Sequence, residues 1–91
     1  MTIGDICEFK VNFPEADFWL QRKGSEKTVG TPTKQFSPEH IGVKITSSGF
    51  DPMFIYYHFV NYHNMGLFTA LANGTLKLKN IRISDIKCIP I

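Results

Sequence analysis

The segment from Phe50 to Gly66 constrains the fold more than any other part of the chain. Phe50-Asp51-Pro52 runs into Met53-Phe54-Ile55-Tyr56-Tyr57-His58-Phe59, an aromatic and apolar series. Asp51 suits the N-cap, because its carboxylate can accept the free backbone N–H groups of a first helical turn. Pro52 suits the first helical position, where its missing N–H costs nothing. Phe50 and Ile55 stand at the two ends of a hydrophobic staple. Gly66 can take the left-handed conformation that ends a helix. The spacing therefore predicts a helix from Asp51 to about Asn64. Apolar residues lie nearly all round it, so it is expected to be largely buried.

The rest of the chain reads mainly as short strands. Ile3 to Val11 alternates Ile6, Glu8 and Lys10 with Cys7, Phe9 and Val11, the period-2 pattern of a half-buried strand. Asp17 to Arg22 is a second strand, with Phe18 and Leu20 on one side and Trp19 on the other. Lys23 to Lys34 is rich in Gly, Ser and Thr and reads as a loop or loose hairpin. Ser37-Pro38-Glu39 can start a turn. A third strand, His40 to Thr46, places Ile41, Val43 and Ile45 on one face. Leu67 to Ala72 is a second short helix, stopped at Asn73-Gly74. Thr75 to Leu78 is a strand with Leu76 and Leu78 pointing one way. The apolar series slips by one residue at Asn80, which predicts a bend or bulge. Ser84 caps one helical turn before a last strand, Lys87 to Ile91.

These elements give an α+β class: a small mixed β-sheet packed on one buried aromatic helix (about 51–64), with a second short helix (about 67–72). The 91 residues make a single domain, 1–91. A chain this short buries a smaller share of its surface than a large one, so its eight Phe are the expected core filling.

Little in the chain points to catalysis, and it is read as not an enzyme. His58 and His63 lie about 140° apart around a helix and cannot jointly face one metal. There is no HExxH motif or Cys/His cluster, so neither a metal nor a cofactor is expected. The carboxylates are scattered, with no pair suited to acid–base work. Gly24-Ser25-Glu26-Lys27-Thr28-Val29-Gly30 lacks the order of a phosphate loop, because Lys27-Thr28 precedes the second glycine. Cys7 and Cys88 are the only cysteines and read as two buried free thiols. If the terminal strands pair, the two thiols come close. No apolar run approaches ~18 residues, and no signal peptide is visible, so a cytoplasmic protein without a membrane partner is expected.

The charges are more informative than their sum. A net charge of +2 permits nucleic-acid binding and counts against an acidic DNA mimic. It conceals two basic segments. Leu20 to Lys34 carries Arg22, Lys23, Lys27 and Lys34 against Glu26, and Asn73 to Ile91 carries Lys77, Lys79, Arg82 and Lys87 against Asp85. Cations mixed with Ser, Thr, Asn and Gln are what phosphate and base-edge contacts require. Such charges also serve as ordinary solvated faces. Trp19 either stacks on a base or partner, or belongs to the core.

The order of pieces resembles a target-recognition domain of type I restriction–modification DNA-specificity subunits. The similarity lies at Phe18-Trp19-Leu20-Gln21-Arg22-Lys23-Gly24-Ser25 with Val29-Gly30, at Asp51 to Tyr57, at Asn73-Gly74-Thr75, and at Asn80 to Ile91, closing on Ile89-Pro90-Ile91. It covers roughly Asp17 to Ile91. Full recognition domains are longer, and the family's spacer helix would begin where this chain ends. The chain thus resembles a reduced, stand-alone version of the domain, of the kind expected in a phage or mobile element. The resemblance implies a module that binds double-stranded DNA. Arg22, Lys23, Ser25, Lys27, Thr28, Lys34, Lys77, Lys79, Asn80 and Arg82 would contact phosphates or base edges, with Gln21 as a further polar reader. A protein-interaction module is the alternative: a homodimer, or a partner of a host restriction or methylation complex, touched through Trp19 and the Tyr-rich helix.

Overall fold

A computed structural model describes residues 1–75 and 77–91. In chain order the elements are α1 (Ile3–Ile6), β1 (Cys7–Val11), β2 (Phe18–Leu20), β3 (Lys23–Gly24), β4 (Pro32–Thr33), β5 (Ile41–Ile45), α2 (Pro52–Asn64), α3 (Leu67–Leu71), β6 (Asn73–Gly74), β7 (Lys79–Asn80) and α4 (Ile83–Lys87). The main sheet has the order β1-β5-β2-β4, and a small second sheet has the order β3-β7-β6. The expected α+β domain, a sheet packed on helices that carry a buried aromatic cluster, is what the chain forms.

Period-2 burial explains the main sheet. On β5, Ile41 and Val43 are buried, and β5 pairs antiparallel with both β1 and β2. Phe18 and Leu20 of β2 face the helices. Phe18 meets the rings of Tyr56 at 5.3 Å and Phe59 at 5.4 Å, both edge to face. Phe59 stacks at 5.9 Å on Phe68 of α3. One row of rings thus joins sheet, long helix and short helix, in the offset and edge geometries that aromatic quadrupoles favour.

Trp19 is core. It is 7% exposed, on the sheet face opposite the helices, and its Nε1–H donates to the Phe13 carbonyl at 2.9 Å. Phe36 meets its ring edge at 5.9 Å. The main sheet is therefore covered on both faces at β2, and Trp19 is removed from the surface offered to a base or partner.

Helix α2 begins and ends as the sequence predicts. The Asp51 carboxylate accepts the Met53 N–H at 2.8 Å, and Gly66 follows the helix at φ 79°. The expected all-round burial holds on one face only. Ile55 and Phe59 are sealed, whereas Met53, Phe54 and Tyr57 are exposed, Tyr57 by 60%. A cylinder lying on one sheet has a single contact stripe, and the remaining apolar residues of α2 have nothing to pack on.

Several boundaries differ from expectation. Ile3 to Ile6 is helical rather than extended. Ile3 and Ile6 are one turn apart on the same buried face, and the Asp5 carboxylate accepts the Thr2 N–H at 2.8 Å. That bond holds the Asp5 carboxyl below the usual carboxylate range. Of the strand expected over Thr75 to Leu78, the described residues Thr75, Lys77 and Leu78 lie in no strand. The Leu78 N–H donates to the Thr75 carbonyl at 3.3 Å, and the side chain of Leu78 is 68% exposed. Leu76, expected to share its face, lies outside the described residues. Ser84 sits inside α4, whose Asp85 and Ile86 N–H groups both donate to the Arg82 carbonyl. The expected last strand reduces to one bridge, Thr2 to Pro90, because α4 takes up Lys87 and Pro90 has no N–H to donate. Bonds from Ile3 N–H to Ile89 O (2.8 Å) and from Ile91 N–H to Met1 O (3.1 Å) clasp the two ends of the chain. Cys7 is buried as expected, and burial first, then the Asp17 charge, push its thiol up to about 12, which keeps it neutral and unreactive. Cys88 is exposed, because it caps the end of α4 instead of lying in a strand, and both thiols are free.

Gly30 locks the loop onto the helices. It has φ 81°, and a Cβ there would lie 2.5 Å from Phe68 Cβ. Gly30→Ala is expected to destabilise the domain by about 2–4 kcal/mol, from left-handed backbone strain plus overlap with a buried ring. Urea unfolding measures this, and an unchanged midpoint would refute the close approach.

Candidate nucleic-acid interface

The two basic segments are separated in sequence by β5, α2 and α3, yet the second sheet joins them. β7 is its middle strand. Lys23 pairs with Asn80 and Gly24 with Lys79 on one side, and Asn73 pairs with Asn80 on the other. The Ile81 N–H donates to the Arg22 carbonyl at 3.0 Å, extending the junction by a residue. Ile81 itself is buried and pins the junction to the core. Arg22, Lys23, Lys79 and Asn80 are thereby neighbours on one small platform. Lys77 is exposed on the connection leading into β7, and Lys27 is exposed on the turn that follows β3.

That turn is held tightly. The Ser25 N–H donates to Thr28 Oγ1 at 2.9 Å, and Ser25 Oγ and Thr28 Oγ1 lie 3.2 Å apart. The Gly30 N–H donates to Gln21 O at 2.7 Å, and the Gln21 N–H donates to Thr31 O at 3.0 Å. Thr69 Oγ1 on α3 donates to the Glu26 carbonyl, and Val29 is sealed in the core. Ser25 and Thr28 therefore spend their hydroxyls on the turn and present Lys27. Gln21 donates its amide N–H to Lys23 O at 2.8 Å, which shapes the entry to β3.

Two of the sequence-selected cations have other engagements. Arg82 Nε lies 3.2 Å from the Asp85 carboxylate, an exposed pair three residues apart in sequence. Lys34 Nζ stands 5.0 Å over the ring of Tyr56, beyond β4 and beside α2, so the structure does not bring it to the β3–β7 platform.

Sequence reasoning missed one feature beside the platform. A cavity of about 270 Å³ is lined by Gln21, Arg22, Lys23, Glu39 and His40. Glu39 and His40 come from the turn before β5, where the His40 N–H donates to the Ser37 carbonyl at 3.1 Å. Among the described residues, Arg22 Nε and His40 Nδ1 are the buried side-chain polar atoms without a hydrogen-bond partner. Such atoms cost about 1–3 kcal/mol each when left unpaired. Glu39 and His40 are 17 or more residues from Arg22 in sequence, and no motif spacing links them.

A second, apolar groove lies on the outer face of α2, lined by Phe54, Tyr57, His58 and Asn61. Phe54 and His58 stack edge to face at 4.5 Å.

No protein-family model, curated protein or solved structure matches the chain. Among the described residues, no group of three or more His, Cys, Asp or Glu is arranged to hold a metal ion, and no helix is long and apolar enough to cross a membrane.

Proposed function

We propose that the chain is a non-enzymatic module that binds double-stranded DNA, acting in the cytoplasm in the manner of a reduced target-recognition domain of a type I specificity subunit. One observation carries this reading: β3 and β7 place the two basic segments in a single sheet anchored to the core. A platform with exposed Lys23, Lys27 and Lys77 supplies phosphate contacts, while the exposed Asn80 supplies a polar group suited to a base edge. Arg82 joins by exchanging an exposed carboxylate, a pairing worth little in water, for phosphate. The test is fluorescence anisotropy with a mixed-sequence duplex at low and moderate salt. Binding that weakens steeply as salt rises is expected. An absence of binding even at low salt would remove DNA as the ligand.

A second reading rests on the outer face of α2. Met53, Phe54, Tyr57 and Met65 are all exposed large apolar residues on or at the end of one helix. Such a face suits contact with another protein, either a second copy of the chain or a component of a restriction or methylation complex. A concentration-dependent dimer that Tyr57→Ala abolishes would favour it, and a monomer that recovers no partner would count against it.

A further inference from the structure

The cavity between Arg22 and His40 adjoins the platform and shares Arg22 and Lys23 with it. Its walls come from two places. Arg22 sits between β2 and β3 and is held on both sides: Gln21 is bonded to Gly30 and Thr31, and the Arg22 carbonyl accepts the Ile81 N–H. His40 stands at the head of β5, fixed by the Ser37 turn and by the buried Ile41 that follows it. Both side chains bring a polar nitrogen out of solvent without a protein partner. An arginine that binds an oxyanion side-on uses Nε–H together with one terminal nitrogen, and Nε is the atom left unpaired here. His40 lines the same cavity, and its Nδ1 is the other nitrogen without a partner. Lys23 and Gln21 complete a lining rich in donors. Glu39 is the one carboxylate there, and it leaves two permanent cations against one anion.

We propose that this cavity is an oxyanion site that takes a phosphate group. As the group enters, Arg22 and His40 turn these shielded nitrogens into the cavity, so that Arg22 grips two of its oxygens side-on and His40 donates to a third, while Lys23 supplies unspecific attraction. Glu39 sets the selectivity. It leaves one net positive charge in the lining, which suits a singly charged phosphodiester better than a doubly charged phosphate. In the DNA reading the group is a backbone phosphate, and the proposal rests on that reading only for this source. The same chemistry would take free phosphate.

The test follows the Arg22 Nε–H and His40 ring signals by NMR during titration with dimethyl phosphate, and separately with inorganic phosphate, against sodium chloride at matched ionic strength. The Trp19 Nε1–H, bonded to the Phe13 carbonyl, is the internal control. Saturable shifts at Arg22 and His40 are expected, with none at Trp19. Arg22→Lys keeps the charge and removes the fork, and should weaken binding on the order of tenfold. Glu39→Gln, at an exposed position, should tighten it, and most for the doubly charged probe. A response to inorganic phosphate alone would keep the oxyanion site and detach it from DNA. The proposal is overturned if both probes leave Arg22 silent, if chloride acts equally, or if R22K binds as well as the natural chain. Duplex binding at low salt with a silent Arg22 would sink the cavity and leave the DNA reading standing. Phosphate binding without duplex binding would do the reverse.

Discussion

Replacing Lys77, Lys79 and Arg82 together by alanine is expected to weaken duplex binding by roughly two to three orders of magnitude near 0.1 M salt. The three residues flank or occupy β7, the middle strand of the second sheet. Each phosphate contact releases condensed counterions, so each cation removed lowers the slope of log K against log salt by about one, and the triple change by about three. Both quantities come from one anisotropy series at several salt concentrations. The variant should fold normally, because Lys77 and Arg82 are exposed and Lys79 contributes its backbone to the ladder. An unchanged slope would remove these residues from the interface. A lowered affinity with an unchanged slope would indicate that the sheet, rather than the charge, had been disturbed.

Phe59→Ala is expected to cost about 3–5 kcal/mol of stability. Phe59 is 0% exposed and lies between Phe18 of the sheet and Phe68 of α3. Its removal deletes the ring that joins three elements and leaves a cavity that rigid neighbours on both sides cannot close. Against a total of about 5–14 kcal/mol for a domain this size, that loss brings the fold to the edge of unfolding. Phe54→Ala, on the same helix, is the matched comparison. Phe54 is 55% exposed, and its loss should change stability by no more than about 0.5 kcal/mol. Urea midpoints at constant slope measure both. Equal losses at the two positions would contradict the one-sided burial of α2. That contrast bears on function too, because the residues that can be lost without harm to the fold are those left to face a partner.

The parts of the candidate site that were legible in sequence are those set by local composition. The loop from Arg22 to Lys34 and the strip from Lys77 to Arg82 stand out as basic and polar, and the structure joins them at Lys23 and Asn80. Lys34 belonged to the first of these by proximity in the chain alone. Two residues of β4 carry it away to Tyr56. Ser25 and Thr28 looked like polar readers because hydroxyls in a Gly-containing loop suit either base contacts or turn formation. The hydrogen bonds between them select the second use here. His40 and Glu39 gave no signal, because a cavity depends on which distant turns are set side by side.

The helix from Pro52 to Asn64 was determined by the sequence itself. Its cap, its proline and its terminating glycine are local devices whose geometry needs no distant partner. The same holds for α3 and for the alternation in β1 and β5. The direction of Trp19, the exposed outer face of α2, the helical turn at Ile3–Ile6, and the clasp between the chain ends were decided by tertiary structure. All-round hydrophobicity does not say which face meets the sheet, and a three-residue strand with apolar residues on both sides does not say what covers each. Those choices depend on packing between segments far apart in the chain, where burial of one face leaves another without a partner.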